Sequence, residues 1–100
     1  MTAYNIVRMR PKPDQVEAFL KFARDRSGEP YDGQQSFDMV DVGGGEYVLV
    51  GRWDSMDAIV AARPQMIATL DQLRDILEDL GGDLGVTDPR SGEAVMSSEG

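Results

Sequence analysis

The chain has 100 residues, enough for one small domain, and its 41% hydrophobic and 28% charged residues match a folded globular protein rather than a disordered one. Its 18 acidic residues against 10 basic ones give a formal charge of −8, so long-range electrostatics repel nucleic acid and anionic membranes and make both poor partners. Cysteine and histidine are both absent, which removes disulfides, the usual zinc ligands, a cysteine nucleophile and the commonest general base, and no metal site is expected.

In chain order, residues 3–10 predict a strand, with Tyr4, Ile6, Arg8 and Arg10 on one face and Asn5, Val7 and Met9 on the other, stopped by Pro11. Val16, Phe19, Leu20 and Ala23 then fall at i, i+3, i+4 and i+7, which predicts a helix over about 13–26. A loop with Gly28, Pro30, Tyr31 and Gly33 follows. Residues 35–42 predict a second strand, with Phe37 and Met39 opposite Asp38, Val40 and Val42. Gly43-Gly44-Gly45 supplies a hairpin turn, and residues 46–53 return as a third strand.

Asp54 or Ser55 caps a helix that runs to about Arg63, where Pro64 ends or kinks it. A longer helix is expected from about 64 to 80, on the stripe of Met66, Ile67, Leu70, Leu73, Ile76, Leu77 and Leu80, closed by Gly81-Gly82. Its acidic last turn, with Asp75, Glu78 and Asp79, is a solvated face rather than a cation site. Leu84–Thr87 predicts a short strand, Asp88–Gly92 a turn and 93–96 a return, with a frayed tail over 97–100. No apolar run approaches the ~18–20 residues that span a bilayer, and no basic-then-apolar leader is visible, so a cytoplasmic location is expected.

This order predicts an α+β class: a ferredoxin-like, split βαβ antiparallel sheet with helices on one face, in a single domain over 1–100 with its core at about 3–88. Tyr47-Val48-Leu49-Val50 is apolar at four successive positions, where a strand with one wet face should alternate. The helices can cover only one face. A second copy stacked across a twofold axis covers the other, so a homodimer is expected.

Strand 3–10 followed by Pro13-Asp14-Gln15-Val16-Glu17-Ala18-Phe19 resembles the opening of the antibiotic biosynthesis monooxygenase-like domains. The run Tyr47-Val48-Leu49-Val50-Gly51-Arg52-Trp53-Asp54-Ser55-Met56-Asp57-Ala58 is similar to that family's strand ending in Trp, followed by an acidic or small residue and a helix with Ala in its first turn. The resemblance spans roughly residues 3–80 and implies a dimeric α/β barrel. It also implies a small-molecule-binding protein, of which the cofactor-independent monooxygenases acting on aromatic polyketides are one kind. Haem-degrading members use an Asn on the first strand, a Trp and a His iron ligand. Asn5 and Trp53 stand in comparable regions here and the His is missing, so no cofactor is expected.

The expected partner is therefore an apolar or aromatic small molecule. Trp53 and Asn5 are the candidate catalytic residues, through an indole N–H offered to a substrate oxygen and a polar amide within an apolar strand. Arg8 and Arg52 are candidates to stabilise a phenolate or carboxylate, with cross-strand pairing to acidic residues as their structural role. Tyr31, Phe22 and Tyr47 are candidates for an aromatic substrate cleft, to which Tyr4 and Phe37 also belong, and the loop around Tyr31 is a candidate lid. Two further readings of the same scaffold are a non-catalytic ligand-binding or accessory protein, and an isomerase or cyclase with Asp38 or Asp41 as base.

Overall fold

The computed structural model describes residues 2–98. It contains β1 (Ala3–Met9), α1 (Val16–Arg26), β2 (Gln34–Gly43), β3 (Glu46–Trp53), α2 (Met56–Asp71) and β4 (Asp88–Glu93), with short 3-10 turns at Pro13–Gln15 and Arg74–Ile76. The strands form one antiparallel sheet in the order β2-β3-β1-β4, with both helices on one side: a ferredoxin-like α+β fold. Among the described residues no helix is long and apolar enough to cross a membrane.

Alternation sets the two sheet faces. Cross-strand neighbours Ala3 and Trp53, Asn5 and Gly51, Val7 and Leu49, and Met9 and Tyr47 share the helix-side face. Tyr4, Ile6 and Arg8 pair with Arg52, Val50 and Val48 on the outer face. The expected apolar run at 47–50 thus splits evenly between the two sides. Gly44 and Gly45 join β2 to β3 with φ of 65° and 80°, as a tight hairpin of matching twist requires. The helix-side core has two parts. Ala3, Trp53, Ile59 and Ala62 are buried at one end of the sheet, and Met9, Phe19, Leu73 and Leu77 at the other.

Three expectations are corrected in the second half of the chain. First, Pro64 neither ends nor divides the helix: Met56–Asp71 is one helix with Pro64 inside, capped by the Ser55 hydroxyl, which accepts from the Ala58 N–H at 3.1 Å. Pro64 removes one backbone hydrogen bond, and the turns on either side carry the helix through, anchored by Ile59, Ala62 and Met66.

Second, the helix does not reach residue 80. Beyond Asp71 the chain makes a 3-10 turn and then runs beside the end of β1: Lys12 N–H donates to Ile76 O at 2.8 Å, and Glu78 N–H to Arg10 O at 2.7 Å. Leu73 and Leu77 are buried all the same, against Met9 and Phe19. Third, Asp88–Gly92, expected as a turn between strands at 84–87 and 93–96, lies within the edge strand β4 (Asp88–Glu93), while 84–87 and 94–96 are not strand. Its Asp-Pro-Arg-Ser-Gly-Glu composition disguises it, and an edge strand tolerates Pro89 because half of its N–H groups have no partner strand. Of the tail expected over 97–100, Glu99 and Gly100 lie outside the described residues.

Candidate functional site

A cavity of about 370 Å³ lies between the helix-side face of the sheet and the two helices, in the gap separating the two halves of the core. Its floor is Asn5, Val7, Phe37, Met39 and Leu49 from the sheet. Phe19, Phe22 and Ala23 of α1 make one wall, and Ile59, Met66, Ile67 and Leu70 of α2 make the other. The spacing of these residues within each helix is the same one that buries a helix against a sheet, so the cavity continues the apolar core and opens to solvent at the exposed Arg63 and Ile67.

Asn5 is the buried polar group of this floor, beside the less buried Gln34 and Ser91 that also line the cavity, and its partners fix its orientation. It is 7% exposed, and its Oδ1 accepts the Trp53 indole N–H at 2.8 Å. Because an indole nitrogen only donates, that bond identifies the amide oxygen and turns Nδ2 the other way. There Nδ2 meets the Met66 sulfur at 3.8 Å, a weak acceptor that leaves donor capacity unused. Gly51 makes the pair possible. A Cβ at Gly51 would overlap Asn5 Oδ1 and lie 3.0 Å from Trp53 Nε1, so no larger residue fits between them.

A layered stack runs outward from this pair. Tyr31 lies parallel to Trp53, with ring centroids 6.1 Å apart and planes 9° from parallel. The Arg26 guanidinium covers the Tyr31 ring at 4.6 Å. Thr69 Oγ1 donates to Gln65 O at 3.0 Å, so the contact between the Tyr31 and Thr69 hydroxyls, at 2.5 Å, is donated by the tyrosine. The loop carrying Tyr31 is thereby tied to both helices.

The candidate residues therefore separate. Asn5, Tyr31 and Phe22 line the cavity. Trp53 is fully buried and does not line it; its N–H, expected to serve a substrate oxygen, is committed to Asn5. Tyr47 packs instead against Phe19 at 5.5 Å, within the adjoining core. Arg8 and Arg52 do not reach the cavity, because odd and even positions of β1 and β3 point to opposite faces and both arginines are on the outer one. Arg8 bridges Glu46 at 3.0 Å and Asp88 at 3.4 Å, and Arg10 joins Glu46 at 3.0 Å. Hydrogen bonding from Arg10 first, then Arg8, holds the Glu46 carboxyl below its ordinary range, and Glu46 in turn raises Arg8.

Asp38 shares the outer face, and Asp41 accepts the Gly43 N–H at 2.9 Å in the hairpin, so neither acidic candidate lines the cavity. The cavity's cations are Arg26 and Arg63, which were not among the sequence candidates. Their signal lay in the helical spacing: Arg26 follows Ala23 by three residues, and Arg63 stands four after Ile59 and three before Met66.

The family model described as antibiotic biosynthesis monooxygenase matches residues 2–64. Among solved structures, Rv0793 from Mycobacterium tuberculosis superposes with a TM-score of 0.74 at 21% identity, covering 98% of this chain and 99% of that one. A mutant of SnoaB, a cofactor-independent oxygenase from Streptomyces nogalater, also gives 0.74, at 13% identity over 99% and 98% of the two chains. A conserved protein from Methanosarcina mazei Go1 gives 0.74 at 11% identity over 93% and 92%. These likenesses establish the fold. No curated protein matches the sequence.

Proposed function

The chain belongs to the antibiotic biosynthesis monooxygenase family, and from that membership and its cavity we propose that it binds an aromatic small molecule and oxygenates it without a cofactor. The observation that carries this reading is Asn5: a buried amide on the floor of an apolar cavity, its oxygen held by Trp53 and its Nδ2 held by the weak Met66 sulfur acceptor, which a ligand oxygen can outcompete. Among the described residues no carboxylate lines that cavity, so no side-chain carboxylate is at hand as a base and the proposed substrate is one acidic enough to ionise in water.

In such a reaction a phenolic compound with an activated ring methylene loses a proton to water at the mouth. Asn5 Nδ2 donates to the phenolate oxygen and stabilises the anion. The carbanion form reduces O2, the carbon–oxygen bond forms, and the peroxide takes a proton from water. Loss of water then leaves a ketone, so that CH2 and O2 become C=O and H2O. Trp53 is a positioning residue in this scheme, acting through Asn5.

Oxygen uptake with hydroxylated polycyclic aromatics tests the reading. Uptake with one ketone formed per O2, reduced at least tenfold in Asn5→Ala, supports it. Ligand binding without uptake would replace it with the non-catalytic ligand-binding reading, which the apolar lining also suits. The outer face supports a second part of the proposal: a homodimer with sheets face to face. Tyr4, Ile6, Val40, Val48 and Val50 form an apolar strip there, with Ile6 43% and Val40 42% exposed in the single chain. Sedimentation at about 22 kDa, twice the 11.0 kDa chain, is the expected result, and a monomer at micromolar concentration is the contrary one.

A further inference from the structure

We infer that the cavity selects an apolar anion: an aromatic carboxylate whose charged group sits at the mouth against Arg63 while its rings fill the interior. The inference rests on the cavity being a ligand site, and adds the charge and orientation of what enters it.

Acidic residues outnumber basic ones 18 to 10 in this chain, yet among the described residues the side chains around the cavity include two arginines and no carboxylate. Arg26 is largely committed. It donates to Glu29 Oε2 at 3.2 Å and to Glu29 O at 2.7 Å, and its plane covers Tyr31. Arg63 makes no ion pair among the described residues. It occupies the cavity-facing row of α2, between Ile59 and Met66, so the helix itself directs it to the opening.

A guanidinium presents a planar fork of donors that matches a carboxylate. One free guanidinium beside one already neutralised by Glu29 suits a single negative charge, whereas a dianion would meet the repulsion of a chain carrying −8. Behind the mouth the wall is apolar, with Leu70, Ile59, Phe37 and Leu49, and the Asn5 amide lies on the sheet floor. A volume of about 370 Å³ is at the low end of ligand pockets, which run to ~1,000 Å³, and suits two or three fused rings. The ligand is thus read at both ends, by charge at the mouth and by a hydrogen bond on the floor.

The test compares 2-naphthoate with 2-naphthamide, two probes of nearly equal shape that differ in charge. Calorimetry gives the affinities, and ring-current shifts of the Met66 and Leu70 methyl resonances report whether the probe is in the cavity. The wild-type protein should bind naphthoate about tenfold more tightly than the amide, with only the naphthoate affinity falling as salt is raised. Arg63→Gln, at an exposed helix position, should abolish most of that preference and leave the amide affinity within about twofold, while Arg63→Lys retains part of it. Equal affinities for the two probes, or a preference that survives Arg63→Gln, overturn the inference but leave the cavity as a ligand site. If neither probe shifts the Met66 and Leu70 methyls, the ligand-site reading itself fails and this inference falls with it.

Discussion

Strand β3 sends Tyr47, Leu49, Gly51 and Trp53 toward the helices and Val48, Val50 and Arg52 away from them, and the two faces it divides are built on different rules. On the helix side, packing is dense at both ends and open in the middle, where the buried polar residue is Asn5, with a buried partner. On the outer side, β-branched side chains stand exposed beside a cluster of paired charges, Arg8, Arg10, Glu46 and Asp88. A buried amide, oriented by Trp53 and facing open space, is the feature on which the proposed ligand site rests. An exposed apolar strip edged by charge is the feature on which the proposed homodimer rests. One sheet can carry both features because alternation assigns neighbouring residues to opposite faces.

That separation can be broken from either side. The largest expected effect is on the outer face. Val48→Lys places a charge in the middle of the strip, and the species at about 22 kDa should disappear in favour of the 11.0 kDa chain, while naphthamide still shifts the Met66 methyl. A dimer that persists would show that this strip is not the interface. The next largest is on the inner face. Gly51→Ala inserts a Cβ into the space held by Asn5 Oδ1, which breaks the bond to Trp53 and overpacks the core. A loss of about 2–4 kcal/mol in urea unfolding is expected, with ligand affinity falling as well. Unchanged stability would mean the Asn5–Trp53 pair can move apart freely. Trp53→Phe is milder, because it keeps the aromatic body and removes only the donor. Leaving Asn5 Oδ1 unpaired should lower stability by about 1–3 kcal/mol with the far-ultraviolet spectrum retained.

The inner face was legible in the sequence where alternation and helical spacing were strong. Asn5, Val7 and Met9 on one face of β1, Phe37 and Met39 on one face of β2, and the Phe19 stripe of α1 all stand as read. Asn5 and Trp53 were legible as candidates, but not their relation: a strand pattern fixes the face of a residue, not whether its neighbour consumes its hydrogen bond. Gly51 was the available signal, since a glycine inside a strand marks a close approach. Of the two roles read for Arg8 and Arg52, the structure puts both on the face away from the cavity, and Arg8 makes the cross-strand pairing, to Glu46 and Asp88.

Past residue 71 the apolar spacing continued, but tertiary hydrogen bonds to Arg10 and Lys12 gave Leu73 and Leu77 their burial without a helix. β4 carries almost no strand signal, because its form comes from pairing with β1 rather than from its own side chains.

The smallest expected effect tests the charges of the outer face. Arg10 and Arg8 both donate to Glu46 at 3.0 Å and hold its carboxyl below the ordinary value near 4.5. The folded state thus favours the ionised carboxylate. Its contribution is fully present above about 4.5 and is lost as pH falls through the lower folded value. Arg8 stays protonated throughout and adds no slope of its own. Glu46→Gln should lower the urea midpoint slightly near neutral pH, and the difference from the parent chain should close as the pH falls through the lowered folded value. The side chains concerned are 33%, 36% and 21% accessible, so added salt should shrink the difference at neutral pH as well. A gap between the two proteins that widens on acidification would contradict the pairing. A cavity affinity that changed with it would contradict the independence of the two faces.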